Sequence, residues 1–148
     1  MNKNNIEITV MTPSDLAVLK SNFSAFSDNT WNFNILEDEL KSKNSILIIA
    51  KIDKQIIGFA GIKIILDEAE LMNIITQNSY RHNGIASRML DYLIDYCKKE
   101  KIKTINLEVN IHNSIAINLY KKYNFNEVGL RKKYYNKTDD ALLMTLKI

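Results

Sequence analysis

The stretch on which the fold turns runs Leu71-Met72-Asn73-Ile74-Ile75-Thr76, then Gln77-Asn78-Ser79-Tyr80-Arg81-His82-Asn83-Gly84, then Ile85-Ala86-Ser87-Arg88-Met89-Leu90. Its first part is an apolar run of strand length. Its last part opens a segment with Ile85, Met89, Leu90, Leu93, Ile94 and Cys97 at helical spacing, which predicts a helix over residues 84 to about 101. A strand running through a tight loop into a helix belongs to an α/β fold, and the apolar face of that helix has to pack on a sheet. Where the helix begins, its first backbone N–H groups lack intrahelical partners and its dipole is positive. Gly84, one of 4 glycines in 148 residues, lets the chain come close to a bound group there, and Arg81 can add charge. The junction reads either as a pyrophosphate cradle or as a simple turn with glycine at its tight point.

Toward the N-terminus, residues 6–10 alternate like a strand, and Thr12-Pro13-Ser14-Asp15 supplies an N-cap, a proline at the first helical position and an acid in the first turn. A helix to about Phe26 follows. A second short helix is expected over 33–41, strands over 45–51 and 55–66 joined at Asp53-Lys54, a turn at Asp67-Glu68 and a strand over 69–76. On the C-terminal side the pattern gives a strand over 104–110, a helix over 114–123 capped by Asn113, and two strands over 126–135 and 141–147. This order predicts an α/β (mixed α+β) domain over 1–148, a mixed sheet with helices on both faces.

Composition narrows the function classes. Twenty Lys+Arg against 17 Asp+Glu leave a net charge of +3, which gives no bulk-electrostatic case for nucleic-acid binding. The densest apolar run, 46–50, is far too short to span a bilayer, so no membrane role is expected. Cys97 has no second cysteine to pair with, and the opening MNKNNIEITV lacks the apolar core of a secretory signal; both point to the cytoplasm. Pro13 is the single proline, and no repeat, linker or low-complexity tract interrupts the chain.

Within Thr104-Ile105-Asn106-Leu107-Glu108-Val109-Asn110, one face carries Ile105, Leu107 and Val109 and the other Asn106, Glu108 and Asn110. A strand between two helices is normally apolar on both faces, so the polar row borders either a cleft or a solvated sheet edge. Glu108 is the member of that row able to accept a proton near neutral pH. Tyr120, on the same side of its helix as Ala116 and Tyr123, is either a core residue or an acid. His82, His112 and Cys97 lack metal-ligand spacing; the histidines read as surface imidazoles and Cys97 as a small buried hydrophobe rather than a nucleophile. Lys98-Lys99-Glu100-Lys101 and Arg131-Lys132-Lys133 read as solvated surface, and Trp31, after Asp28-Asn29-Thr30, as a core anchor or the wall of a substrate loop.

The strand 71–76, the loop Tyr80-Arg81-His82-Asn83-Gly84-Ile85-Ala86, the segment Leu107-Glu108-Val109 and the run 113–125 together resemble the GCN5-related N-acetyltransferases (GNAT). The loop fits that family's Q/R-x-x-G-x-G/A signature through Arg81, Gly84 and Ala86. From Leu66-Asp67-Glu68-Ala69 through Asn118-Leu119-Tyr120-Lys121-Lys122-Tyr123-Asn124-Phe125 to Arg131, Tyr134-Tyr135 and Asp140-Ala141, the chain is similar to the RimI-type ribosomal-protein-alanine acetyltransferases. Two departures stand out. Asn110 replaces an arginine of the better-known members, and the turn between Tyr135 and Asp140 is shorter than theirs.

The resemblance implies a mostly antiparallel sheet splayed between two strands and flanked by about four helices, with acetyl-CoA in the splay and no metal. Ile74, Ile75 and Thr76 would hold the thioester and pantetheine, and Arg81, His82, Asn83, Gly84, Ile85, Ala86 and Ser87 the pyrophosphate arm. Asn113 would be a further cofactor contact. Glu108 would be the general base and Tyr120 the general acid, with an N–H near Ile74 meeting the developing oxyanion. The implied acceptor is a protein N-terminus, the alanine of the eighteenth small-subunit ribosomal protein. The alternatives are another amine (a lysine, a polyamine or an aminoglycoside) or a non-catalytic acetyl-CoA-binding module.

Overall fold

Thr12 and Asp15 close a reciprocal cap: the Thr12 N–H donates to Asp15 Oδ2 at 2.9 Å and the Asp15 N–H to Thr12 Oγ1 at 3.2 Å. With Pro13 in the first turn, this starts α1 (Pro13–Ser21), after β1 (Ile6–Val10), in the computed structural model, which describes residues 5–26, 31–135 and 138–148. The Asp15 carboxylate also pairs with Lys51 at 2.8 Å, tying the helix to the sheet. The expected continuation of α1 to Phe26 is not what forms. Asn22 caps the helix, and a 3₁₀ turn over Phe23–Ala25 seats Phe23 and Phe26 on the Phe59 ring, with centroids 6.1 and 5.3 Å away. Leaving the helix at Asn22 thus brings two aromatic anchors onto the sheet.

The remaining elements are α2 (Phe33–Lys41), β2 (Ser45–Ile52), β3 (Gln55–Ile65), β4 (Glu68–Thr76), α3 (Ile85–Lys99), β5 (Thr104–Asn110), α4 (Ser114–Lys122), β6 (Asn126–Tyr135) and β7 (Asp139–Lys147). The β2–β3 hairpin turns at Asp53 and Lys54, both at positive φ as a tight hairpin needs. The next turn lies at Leu66-Asp67 rather than Asp67-Glu68, because Glu68 pairs with Ile65 and is already strand. Likewise Asp139 and Asp140 belong to β7, two residues earlier than the apolar pattern suggests; Asn136 and Lys137, in the turn before them, lie outside the described residues.

All seven strands form one sheet in the order β1-β2-β3-β4-β5-β7-β6. Every neighbouring pair is antiparallel except β4 and β5. Strand alternation sorts the core to the two faces. Leu47, Ile49, Ile56 and Phe59 pack with Leu16, Leu19 and Leu36 of α1 and α2, while Ile48, Ala50, Ile57, Ala60 and Ile62 pack with Met89, Leu90 and Leu93 of α3. Bulges shift that alternation. In β4, Gly61 pairs with Asn73 but Ile62 with Leu71, so Met72 is the extra residue and the strand bends there.

No helix among the described residues is long and apolar enough to cross a membrane. Cys97 is fully buried, and burial pushes its thiol up to about 11. It packs as a small apolar side chain.

Candidate active site

The parallel pairing of β4 and β5 is short. It runs from Glu68 opposite Thr104 to Glu70 opposite Asn106, after which β4 continues to Thr76 and β5 to Asn110 with no pairing between them. The sheet therefore opens into a wedge beside residues 71–76, where Ile74, Ile75 and Thr76 are all half-buried. A strand edge facing such a wedge offers its backbone groups to an extended ligand as it would to another strand. The bend at Met72 helps to turn β4 out of the ladder at this point.

Past Thr76 the chain is held back against β3: the Gln77 N–H donates to the Ile57 carbonyl at 2.7 Å, and the Tyr80 hydroxyl donates to Gln55 Oε1 at 3.2 Å. Asn83 Nδ2 donates to the carbonyls of Tyr80 and Arg81, both at 3.1 Å, which closes the loop on itself. His82 and Gly84 sit at φ 66° and 76°, so residues on both sides of Asn83 are left-handed. Gly84 is the N-cap of α3, and no side chain caps that end. A Cβ at Gly84 would meet no atom within 4 Å, so the space in front of the helix start is open. Gly58 lets this corner pack. A Cβ there would lie 3.0 Å from Met89, 3.1 Å from the Ile75 carbonyl and 3.2 Å from Ile85. Ile85 is buried beneath, Ala86 and Ser87 are half-buried, and Arg81 flanks the opening half-buried.

This corner fits the pyrophosphate arm of acetyl-CoA: an uncapped 15-residue helix start, two left-handed residues and open space favour a phosphate held by main chain. Gly84→Asp should crowd and repel that group as well as strain the backbone. Calorimetry is expected to show acetyl-CoA affinity reduced at least about tenfold, on the order of 1.4 kcal/mol; unchanged affinity in a folded variant would reduce the loop to a turn.

On the other side of the wedge, the β5 burial pattern alternates strictly. Ile105, Leu107 and Val109 are buried in the α3 core, and Asn106, Glu108 and Asn110 are half-buried on the opposite face. Helices α1 and α2 cover β2 and β3 on that face, and the polar row lies beyond them. The row is not a sheet edge, since β5 pairs with β4 on one side and β7 on the other. Each member has a partner: Asn106 accepts from the Thr145 hydroxyl at 2.6 Å, Glu108 Oε1 lies 2.9 Å from Arg131 Nη2, and Asn110 donates to Asp139 at 3.0 Å. Asn110 also accepts from the His112 N–H at 2.9 Å, so it fixes the exit turn of β5. Glu108, just beyond the last β4–β5 pair, keeps 22% of its side chain exposed.

Helix α4 follows directly, its start capped by Asn113 Oδ1 accepting from the Ala116 N–H at 3.2 Å. Tyr120 is 5% exposed, its ring tilted against Phe125 at 5.6 Å. Tyr123 is employed differently. Its hydroxyl lies 2.7 Å from Asp91 Oδ1 and 3.1 Å from the Ser87 carbonyl, and burial with Asp91 beside it pushes its pKa up to about 12. This pins the C-terminal end of α4 to the first two turns of α3.

Arg131, Lys132 and Lys133 are all exposed as expected, and Arg131 in addition reaches Glu108 across its register partner Ala141, which is small and shares a face with Glu108. A charge run gives no sign of such cross-strand register. Trp31 is half-buried against the α1–α2 cluster, and residues 28–30 before it lie outside the described residues. His82 and His112 are exposed, the latter 3.7 Å from Asp139, and no metal-holding group of three His, Cys, Asp or Glu occurs among the described residues.

Residues 16–125 match the acetyltransferase (GNAT) family. The ribosomal protein bS18-alanine N-acetyltransferase of Escherichia coli (strain K12) is 40% identical over 94 residues, covering 62% of this chain and 64% of that enzyme. The chain thus spans a little under two thirds of that relative's length. The enzyme of the same name from Haemophilus influenzae is 38% identical over 107 residues, 72% of each chain. The crystal structure of the ribosomal-protein-S18-alanine N-acetyltransferase from Escherichia coli superposes with a TM-score of 0.88 at 27% identity, covering 97% of this chain and 94% of that one.

Proposed function

Because this chain belongs to the acetyltransferase (GNAT) family, we propose that it transfers the acetyl group of acetyl-CoA to a protein N-terminal α-amine, with the alanine of ribosomal protein bS18 as the acceptor. The observation that carries the acceptor is the 40% identity to the Escherichia coli enzyme named for that reaction. When bound, acetyl-CoA supplies an activated acetyl thioester. In this reading Ile74, Ile75 and Thr76 hold the pantetheine arm by backbone groups, residues from Arg81 to Ser87 hold the pyrophosphate, and the Asn113 amide adds a contact. Asn113 Oδ1 already serves the helix cap, which leaves its Nδ2 as the donor.

Glu108 takes the proton of the acceptor nitrogen, and the Tyr120 hydroxyl donates to the departing sulfur. An α-amine, with a reference pKa near 7.7–8.0, is largely protonated at pH 7 and must be deprotonated to attack, yet it loses its proton roughly 2.5 units below a lysine. A carboxylate base near neutral pH therefore favours N-terminal acceptors over lysines. Cys97 is buried away from solvent, in keeping with direct transfer and no acetyl-enzyme. The reaction needs neither a metal nor direct contact with nucleic acid, and we assign it to the cytoplasm, where ribosomal proteins are made.

The test is mass spectrometry of peptides incubated with the protein and labelled acetyl-CoA. Peptides beginning with alanine should be acetylated on the α-nitrogen, their N-terminally blocked counterparts should not, and a bulky first residue should lower kcat/KM. Acetylation of internal lysines or a polyamine, with the alanine peptide untouched, would refute the N-terminal acceptor while leaving an acetyltransferase.

A further inference from the structure

The Arg131–Glu108 pair has no strong rationale as a stabilising contact. The two side chains are 53% and 22% exposed, and an ion pair of that exposure contributes at most about 1 kcal/mol. The backbone around it is nevertheless distorted. Between Arg131, opposite Ala141, and Tyr135, opposite Asp139, β6 carries more residues than β7, and Lys133 within that bulge takes φ 54°. A non-glycine residue at such φ is strained, and bulges of this kind re-aim side chains. The result here is that the Arg131 guanidinium lies over the Tyr134 ring, 4.6 Å from its centroid, while its Nη2 meets Glu108. The ring and the carboxylate together hold the guanidinium at two points. Its planar fork carries five N–H donors, more than the single contact to Glu108 uses, beside the oxygen assigned to the base.

We propose that Arg131 selects the acceptor: while Glu108 receives the α-amine, the guanidinium beside it donates to the first carbonyl oxygen of the peptide. This deepens the function proposed above and rests on Glu108 being the base. The nitrogen and the carbonyl oxygen of one N-terminal residue lie about 3 Å apart by standard backbone dimensions. The Glu108 and Arg131 groups that would receive them are 2.9 Å apart. A lysine side chain or a polyamine carries no carbonyl next to its amine, so it leaves the guanidinium without that bond. A peptide α-amine is thereby recognised by an acceptor–donor pair rather than by its charge.

The experiment compares wild type, Arg131→Met and Arg131→Lys on two acceptors: an alanine-starting peptide, and the same peptide with its first amide replaced by an (E)-alkene isostere that keeps the shape but has no carbonyl. A hydrogen bond to a charged donor of this kind corresponds to about 10–100-fold in kcat/KM. Wild type should lose that factor on going from peptide to isostere, mostly in KM. Arg131→Met should turn over the peptide at the isostere's lower efficiency and discriminate little between the two, with Arg131→Lys intermediate and acetyl-CoA affinity unchanged in both variants. If Arg131→Met turns over the peptide and still discriminates as wild type does, the carbonyl contact is refuted and the N-terminal acceptor stands. If wild type acetylates lysine or a polyamine but not the peptide, both fall together.

Discussion

Glu108→Gln is expected to lower kcat by about 10²–10⁴, the usual range for loss of a general base, with acetyl-CoA affinity unchanged by calorimetry. The substitution is well isolated. Glutamine keeps the length and the half-buried position on β5, and its amide oxygen can still accept from Arg131, so the lost capacity is that of taking a proton. Because Glu108 stands just past the point where β4 and β5 part, the variant should also leave the wedge intact. Normal turnover would mean that the acceptor is deprotonated by another group or arrives neutral. A pH–rate profile then separates these cases, since a neutral acceptor leaves only its own ionisation in the profile.

Tyr120→Phe is expected to lower kcat on the order of 10²-fold, again with little change in the fold. The ring is 5% exposed and packs on Phe125, and phenylalanine preserves that packing. Tyr123→Phe provides the contrast. Its hydroxyl bridges to Asp91 and the Ser87 carbonyl, so that variant should lose about 1 kcal/mol of stability and little kcat. Should the two variants exchange these effects, the acid belongs to Tyr123. Should the Tyr120→Phe deficit vanish at saturating acetyl-CoA, the Tyr120 hydroxyl positions the cofactor rather than protonating sulfur.

Much of the fold was written locally. The Thr12–Asp15 cap, the 3.6-residue spacing from Ile85 to Cys97, the alternation in Thr104 to Asn110 and the Asn113 cap each depend on residues within a turn or two of one another, and each formed as expected. The elements that shifted did so for distant reasons. Residues 23–25 left the helix so that Phe23 and Phe26 could meet Phe59, and Glu68 joined β4 because Ile65 pairs with it.

The candidate site divides in the same way. Local pattern marks the glycine at the start of α3 and the polar row of β5, and the resemblance to a family names Glu108 and Tyr120 as catalytic candidates. Periodicity left open whether the row faced a cleft or an outer edge, because alternation reports which residues share a face and not which strands lie alongside. That β5 is interior, that its pairing with β4 ends at Asn106, and that Arg131 crosses the small Ala141 to reach Glu108 became visible in the folded chain alone. Those three facts depend on strand order and register between segments far apart in the chain, and such pairings are set by how the whole core packs rather than by any local pattern.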